Sequence, residues 1–283
     1  MAYFERGDEG FLPLSFSQSQ WSPESINGSA LAGLTAHVLE SDCGAPGYQA
    51  AKLTLDIFRQ PAFAPIQTET MVVREGRSIR MADLFVRQGD RTVARASMVA
   101  IRPTQDPAGI RWHPTSEAMA FSEHMAAVLP TPGILWGSDE HPDGWSSTMT
   151  EHQNAGRKRL WFDQPRLFAD VDNTPLVRAA MVGELTNTLT SWSDHGIGFI
   201  NHDVTILLAR PPVGAIVGIE ADNHMSANGI AAGATTMWDT HGRFGISMAG
   251  AVAHMIGTLN LSSGPAEWTE TNHAYSPDFD ATP

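Results

Sequence analysis

Four polar residues in the second half of the chain have the types and spacing needed to hold or activate a water molecule. Glu184 and Asn187 are three positions apart, so on a helix they share one face. Asp203 and Thr205 are two positions apart, so on a strand they share one face of a sheet. A carboxylate can take a proton from water, and an amide or a hydroxyl can fix that water by hydrogen bonds. The sequence therefore offers the parts of a hydrolytic site, provided that the helix and the strand meet.

Other chemistries lack their characteristic motifs. Eleven histidines are present, but none forms an HExxH motif or a similar chelating pair, and they are scattered over different elements. No GxSxG sequence occurs, so a serine hydrolase of the α/β class is not supported. Cys43 is the single cysteine, which excludes an internal disulfide. We therefore predict neither a metal site nor a cofactor.

The charge balance limits the possible partners. The formal net charge is −13, which repels a polyanion at long range, so a nucleic acid is not an expected partner. A phosphate-bearing ligand would need a local basic patch. The segment REGR at 74–77 could supply one, or it could be a solvated strand bend. The first ten residues resemble no secretory signal, and the apolar runs fall well short of the ~20 residues of a membrane span. We expect a soluble, cytoplasmic protein, with a homo-oligomer possible.

The candidate residues must be positioned by a helix and the strands that follow it. A helix is predicted over 174–194, where Thr174 is a typical N-cap and a proline follows in the first turn. An earlier helix is predicted over 22–42, and its glycines and alanines make it thin enough to pack closely. After Ala51 the hydrophobic period changes to two, which predicts a meander of antiparallel strands. The stretch from 103 to about 170 is rich in proline and connects the two regions, and its tryptophans are expected to be buried.

The second half of the chain repeats the plan of the first. LTLDIFRQPA at 53–62 matches VTILLARPPV at 204–213, and upstream ALAG at 30–33 matches AMVG at 180–183. The same order of helix, strand and turn therefore recurs about 150 residues later. Such a repeat predicts two copies of one supersecondary unit, packed as a pseudo-symmetric pair. Each copy is a helix followed by four or five antiparallel strands, which is an α+β unit.

These segments resemble a known family. ESINGSALAGL at 24–34 and VVREGRSIRMADLFVRQGDRTVARAS at 72–97 are similar to the first hotdog of the acyl-CoA thioesterase II family. FINHDVTILLARPPVG at 199–214 and GIAAGATTMWDTHGRFG at 229–245 are similar to the second. The resemblance implies a double-hotdog α+β fold, with two helix-plus-antiparallel-sheet repeats in one chain. We expect an N-terminal hotdog over 1–105, a connecting segment over 106–155, a C-terminal hotdog over 156–260 and a polar tail over 261–283.

The resemblance also implies a site. In the family an aspartate on the second helix, a threonine on the next strand and a glutamine on the last strand hold the attacking water. These positions correspond here to Glu184, Thr205 and Ala249. The carboxylate is longer by one methylene, the hydroxyl is kept and the amide is missing; Ser247, on the same strand face as Ala249, is a possible substitute. We therefore expect Glu184 and Thr205 to lie within one bridging water of each other.

Two functions follow from the resemblance. The first is an acyl-CoA thioesterase in which Glu184 and Thr205 position water. The second is a hotdog protein that binds acyl-CoA or an acyl chain without hydrolysing it, which the missing amide would allow. A hydratase-type hotdog is less well supported, because DNTP at 172–175 is followed by leucine and valine rather than by a histidine.

Overall fold

The computed structural model describes residues 1–112, 119–254, 257–260 and 267–269. Its helices are α1 (Gly28–Cys43), α2 (Glu123–Val128), α3 (Pro175–Glu184) and α4 (Thr186–Thr190). Its strands are β1 (Ala2–Gly7), β2 (Gly10–Pro13), β3 (Gln49–Ile57), β4 (Gln67–Glu75), β5 (Ile79–Gln88), β6 (Arg91–Ile101), β7 (Gly133–Ser138), β8 (Trp145–Ser146), β9 (Lys158–Asp163), β10 (Arg166–Phe168), β11 (Trp192–Ser193), β12 (Gly196–Ile197), β13 (Phe199–Leu208), β14 (Ile216–Ala227), β15 (Ile230–Asp239), β16 (Gly242–Ala253), β17 (Thr258–Asn260) and β18 (Glu267–Thr269).

One antiparallel sheet of eleven strands runs through the molecule, in the order β4-β5-β6-β3-β13-β16-β15-β14-β9-β7-β8. The first copy contributes β4-β5-β6-β3 and the second contributes β13-β16-β15-β14, so each copy has the same connectivity. The copies join where β3 pairs with β13. The predicted double hotdog with one continuous sheet is therefore confirmed. Two smaller sheets, β10-β1-β2 and β11-β12-β17-β18, lie beside it.

A pseudo-twofold axis passes through the joint between the copies. The repeat sets Thr54 on Thr205, and in the sheet these two residues are directly opposite each other. Their hydroxyl oxygens are 3.2 Å apart. A residue that pairs with its own repeat counterpart marks the position of a twofold axis, as in an isologous dimer interface.

The helices α1 and α3 pack against each other on one face of the sheet. A Cβ on Gly33 would lie 2.7 Å from Cγ of Met181, and a Cβ on Gly183 would lie 2.7 Å from Cδ1 of Ile206. Glycine at these two positions lets α1 approach α3 and lets α3 approach the sheet. The small residues of the predicted thin helix therefore serve close packing, which offsets the roughly 1 kcal/mol that glycine costs in a helix.

The first helix begins later than the sequence predicted. Residues 22–25 form an isolated turn, in which the N–H of Ser25 donates to the carbonyl of Ser22. The N-cap is Asn27, whose side-chain oxygen accepts from the N–H of Ala30 at 2.8 Å. The predicted start at Ser22 is wrong because serine followed by proline favours a turn as well as a helix start.

The second helix is also shorter than predicted. It begins as expected, with Thr174 as N-cap and Pro175 in the first turn, but it ends at Glu184 instead of continuing to 194. The short helix α4 then follows over Thr186–Thr190, and its sequence TNTLT consists mainly of poor helix formers. The hydroxyls of Thr186 and Thr235 are 2.8 Å apart, which ties α4 to the sheet.

Part of the segment between the copies belongs to the eleven-stranded sheet, at the end formed by the second copy. Strand β9 pairs with β14 of the second copy, and β7 pairs with β9 along its whole length. Trp136 and Trp161 are buried as expected, whereas Trp112 is 86% exposed, contrary to the prediction. Of the polar tail over 261–283, only 267–269 are among the described residues, as strand β18. The bounds of the four segments stay a prediction.

Candidate active site

Glu184 stands at the end of α3 and faces a cavity of about 360 Å³. The residue is 8% exposed. The cavity lies where the two halves of the chain meet, since it is lined by the first residues of α1, the end of α3 and the start of β13. Because the helix stops at this residue, its carboxylate lies at the helix end rather than on a packed helical face.

Three residues surround the carboxylate. The Nδ2 of Asn201 donates to Oε1 at 3.1 Å. The Oγ of Ser29 lies 3.4 Å from Oε2, but it lies closer to the carbonyl of Met181, at 2.9 Å, so its single proton favours the carbonyl. A Cβ on Gly28 would lie 1.8 Å from Oε1, so only glycine leaves room for the carboxylate here.

Burial sets the charge state of this group. It raises the pKa of Glu184 above the usual value for glutamate, and the hydrogen bonds from Asn201 and Ser29 oppose the rise. The pKa of the nearby Tyr3 is also raised, first by burial and then by the negative charge of Glu184, so the phenol stays protonated. A buried carboxylate with a raised pKa is a better proton acceptor than an exposed one, and such groups are common at catalytic sites.

Asn201 faces Glu184 because β13 contains a β-bulge. The pairing of β13 with β16 shifts register between Asn201 and Asp203. Val204 and Ile206 are buried under α3, and regular alternation would turn His202 towards the helices. The extra residue instead turns Asn201 to that face and leaves His202 exposed. Asn201 was not among the predicted site residues, because a bulge of this kind has no sequence signal in this strand.

The predicted convergence of Glu184 and Thr205 is wrong. Thr205 lies between Val204 and Ile206, both buried on the helix side, so its side chain lies on the other face of the sheet. Its hydroxyl pairs with that of Thr54. Thr205 therefore contributes to the pairing of β3 with β13, where the two copies meet, and does not line the cavity.

The other carboxylate candidate also lies on the far face of the sheet. Asp203 is half-buried, and its Oδ1 accepts from the N–H of Gly250 at 2.9 Å. The same oxygen lies 3.2 Å from Nδ1 of His202. Asp203 therefore holds the bulge of β13 against β16 and does not line the cavity.

Three further candidates have structural partners of their own. Asn187 lines the cavity, but its Nδ2 donates to the carbonyl of Phe199 at 2.8 Å and its Oδ1 accepts from Ser191 at 2.8 Å. The Oγ of Ser247 donates to the carbonyl of Gly183 at 2.9 Å and so caps the end of α3 instead of replacing an amide. Ala249 is buried and does not line the cavity.

Much of the remaining wall of the cavity is apolar and aromatic, beside a polar stretch formed by Gln18, Ser19 and Gln20. The apolar members come from β7, β9 and the segments before α1 and after α3. They include Phe16, Ile134, Trp136, Phe162 and Leu185. A ligand in this cavity would therefore meet one polar end, at Glu184, and a wall suited to hydrocarbon.

The first turn of α1 supplies hydrogen-bond donors at the polar end. The first backbone N–H groups of an α-helix have no acceptor within the helix. Asn27 caps the N–H of Ala30, and Gly28 and Ser29 are the first two helical residues and line the cavity. The positive end of the helix dipole also favours negative charge at this place. The arrangement combines a proton acceptor with donors that can stabilise an oxyanion.

Within the described residues, no group of three or more His, Cys, Asp or Glu side chains is placed to hold a metal ion. The search of that part of the chain for a helix long and apolar enough to cross a membrane found none.

Comparison with known proteins supports a relationship to thioesterases. Residues 17–101 match the family described as the acyl-CoA thioesterase N-terminal domain. A search of curated proteins finds no significant match. These residues include α1 and the first four-stranded unit, so the matched region contributes Gly28 and Ser29 to the cavity.

Several solved structures share the fold over most of their length. The tesB protein of Mycobacterium avium subsp. paratuberculosis is 17% identical, with 89% of this chain and 96% of that chain covered and a TM-score of 0.59. An acyl-CoA thioesterase II of Mycobacterium marinum is 13% identical, with 81% and 90% covered and a TM-score of 0.59. A hotdog-fold protein of Alicyclobacillus acidocaldarius is 15% identical, with 89% and 95% covered and a TM-score of 0.62. With the family match, these likenesses confirm the resemblance to the thioesterase II-like family.

Proposed function

We propose that the protein hydrolyses acyl-CoA thioesters and that Glu184 activates the attacking water. The observation that carries the proposal is the buried carboxylate of Glu184, held by Asn201 where the two hotdogs meet and facing a cavity with an apolar wall. The family match over residues 17–101 supports the same class of reaction. In this proposal Asn201, rather than Thr205, is the polar group that the strand after the second helix brings to the site.

The geometry suggests a direct attack by water. The ionised carboxylate of Glu184 accepts a proton from water while the water oxygen bonds to the thioester carbonyl carbon. The resulting tetrahedral oxyanion then collapses, the carbon–sulfur bond breaks, and the leaving thiolate takes the proton from the Glu184 carboxyl group. The products are a free acid and the thiol. Because Asn201 donates to Oε1, the carboxylate keeps one orientation throughout.

The oxyanion is expected to form at the start of α1. The N–H groups of Gly28 and Ser29 have no intrahelical acceptor, and a Cβ on Gly28 would lie 1.8 Å from Oε1 of Glu184, so the backbone here is close to the carboxylate. Loss of such a donor or of its alignment commonly costs on the order of 10²-fold in rate. The acyl chain would then lie along the aromatic wall formed by Trp136 and Phe162.

The test is a hydrolysis assay over a panel of acyl-CoAs of different length, with release of free CoA as the readout. We expect turnover in the natural protein and its loss in Glu184→Gln. The matched control is Glu220→Gln, because Glu220 is also a buried glutamate, and it pairs with Arg157 away from the cavity. Measurable acyl-CoA binding without turnover in the natural protein would favour the non-hydrolytic binding protein instead.

A further inference from the structure

A second cavity is lined by parts of the same repeated elements as the first. Its volume is about 380 Å³. The first cavity is built by the start of α1, the end of α3 and the start of β13. The second is built by Glu40 near the end of α1, Pro175 and Leu176 at the start of α3, and Gln49 and Ala50 at the start of β3. The repeat pairs α1 with α3 and β3 with β13, so the two cavities are built from the same pairs of elements, but they lie at different positions along the helices.

The second cavity does not have the reactive groups of the first. The match of ALAG with AMVG sets Leu34 on Glu184, and the match of Thr54 with Thr205 sets Ala50 on Asn201. The bulge is kept, because β3 also shifts register between Ala50 and Lys52. The second cavity therefore has a similar volume and a similar bulge, but it has no counterpart of the Glu184 carboxylate or of the Asn201 amide. Such a cavity is suited to binding rather than to hydrolysis.

One polar atom in this cavity has no partner. The Oε2 of Glu40 is buried and accepts no hydrogen bond from any described residue. A buried acceptor without a donor costs roughly 1–3 kcal/mol. Glu40 lines the cavity, so a ligand that presents an N–H or O–H group there would supply the missing donor.

A cluster of four arginines lies on the two segments that contact Tyr48, and Tyr48 lines the cavity. It comprises Arg74, Arg77, Arg80 and Arg102, from the β4–β5 hairpin and the end of β6. Among the described residues, only Arg80 of the four forms an ion pair, with Glu75. This is a local concentration of positive charge on a chain whose net charge is −13.

Tyr48 connects the cluster to the cavity. It lines the cavity, and its hydroxyl donates to the carbonyls of Gly76 at 2.7 Å and Arg77 at 2.9 Å. The guanidinium of Arg102 lies 4.9 Å from the centre of its ring, and Nε of Arg102 donates to the carbonyl of Arg77 at 3.2 Å. The hairpin turn is thereby fixed against the cavity wall.

We propose that the second cavity and its arginine cluster bind a nucleoside phosphate, the chemistry found at the nucleotide end of coenzyme A. The arginines contact the phosphates, since a guanidinium matches phosphate oxygens with paired hydrogen bonds. Glu40 accepts from an amino group of the base or a hydroxyl of the ribose. Binding at this site does not depend on hydrolysis, so it is a second function in addition to the one proposed above.

The test is calorimetric titration of the full chain in phosphate-free buffer with ADP, coenzyme A and pyrophosphate. The test variant is Arg74→Ala/Arg77→Ala, which changes two exposed arginines and leaves Tyr48 and Arg102 in place. The matched control is Arg59→Ala/Arg91→Ala, with the same loss of charge at the opposite end of β6. We expect ADP and coenzyme A to bind the natural protein, the test variant to bind them at least about tenfold more weakly, and the control to bind them normally.

Two further variants separate the alternatives. Glu40→Leu should weaken the binding of ADP severalfold and leave the binding of pyrophosphate unchanged, because only the nucleoside offers a hydrogen-bond donor to Glu40. Glu184→Gln should bind ADP as the natural protein does, whether or not hydrolysis is lost. Absence of ADP binding at millimolar concentration would overturn the proposal. Equal weakening by both double variants, or binding of ADP no tighter than that of pyrophosphate, would overturn it as well.

Discussion

Replacing Glu184 by glutamine should remove the activity and leave the shape of the site nearly intact. The side chain keeps its length, and Nδ2 of Asn201 can still donate to the remaining oxygen over the present 3.1 Å. Only the ability to accept a proton is lost. General base catalysis contributes about 10²–10⁴-fold, so we expect CoA release to fall by at least about 10²-fold.

The same change should make the protein more stable at neutral pH. Burial raises the pKa of Glu184 above its usual value of 4.5, so the folded state binds this proton more readily than the unfolded state. The natural protein therefore loses stability as the pH rises from 4.5 through the raised pKa, by about 1.4 kcal/mol for each unit of the shift. Glutamine has no charge, so the variant does not lose stability in this way as the pH rises. We expect a gain on the order of 1 kcal/mol at pH 7, or roughly 2 °C in Tm.

Thermal melts from pH 4 to pH 8 and the CoA-release assay check both parts. The advantage of Glu184→Gln should shrink as the pH falls through the raised pKa and should vanish below 4.5, where the natural carboxyl is protonated in both states. Burial also raises the pKa of Glu220, against the opposing charge of Arg157, so Glu220→Gln should give a gain of the same sign but keep full turnover. A Glu184→Gln variant that keeps full turnover, or one whose Tm advantage is the same at pH 4 and pH 7, would refute the reasoning.

Three further substitutions test the geometry of the site. Gly28→Ala should lower turnover about tenfold or more, because its Cβ would lie 1.8 Å from Oε1 of Glu184, while alanine strengthens the helix; full activity would contradict this close approach. Asn201→Asp should move the acid limb of the kcat/KM profile to higher pH, since a second carboxylate raises the pKa of Glu184; an unshifted profile would count against the pairing. Thr205→Val should leave turnover unchanged and cost about 1 kcal/mol in denaturant unfolding through the lost bond to Thr54; inactivation would place the threonine in the site after all.

The fold was predictable from the sequence because it depends on patterns that repeat. The alternation after Ala51 and again around Val204, each preceded by a predicted helix, was enough to predict two copies of one unit. The ends of the helices were less predictable. Ser22 is as good a cap by type as Asn27, and the choice between them depends on tertiary contacts, such as the N–H of Asn27 donating to the carbonyl of Ser17.

The site was predictable only where it depends on helix position. Glu184 follows from the resemblance of its helix to the second helix of the family, and it lies in the cavity. The strand partner was missed, because one extra residue at His202 reverses which side chains face the helices. Regular strand alternation, counted from Val204, therefore predicts the correct face of the sheet for Ile206 and the wrong face for Asn201.

Each cavity of this protein takes its parts from both halves of the chain, as the active sites of a dimer of identical subunits would. In such a dimer, a substitution at the position of Glu184 would appear in both cavities at once. In the fused chain the position occurs twice, as Glu184 and as Leu34, and each can change alone. Fusion thus removes the requirement that one sequence serve two places. The two halves can differ in their chemistry while the backbone around Thr54 and Thr205 stays symmetric.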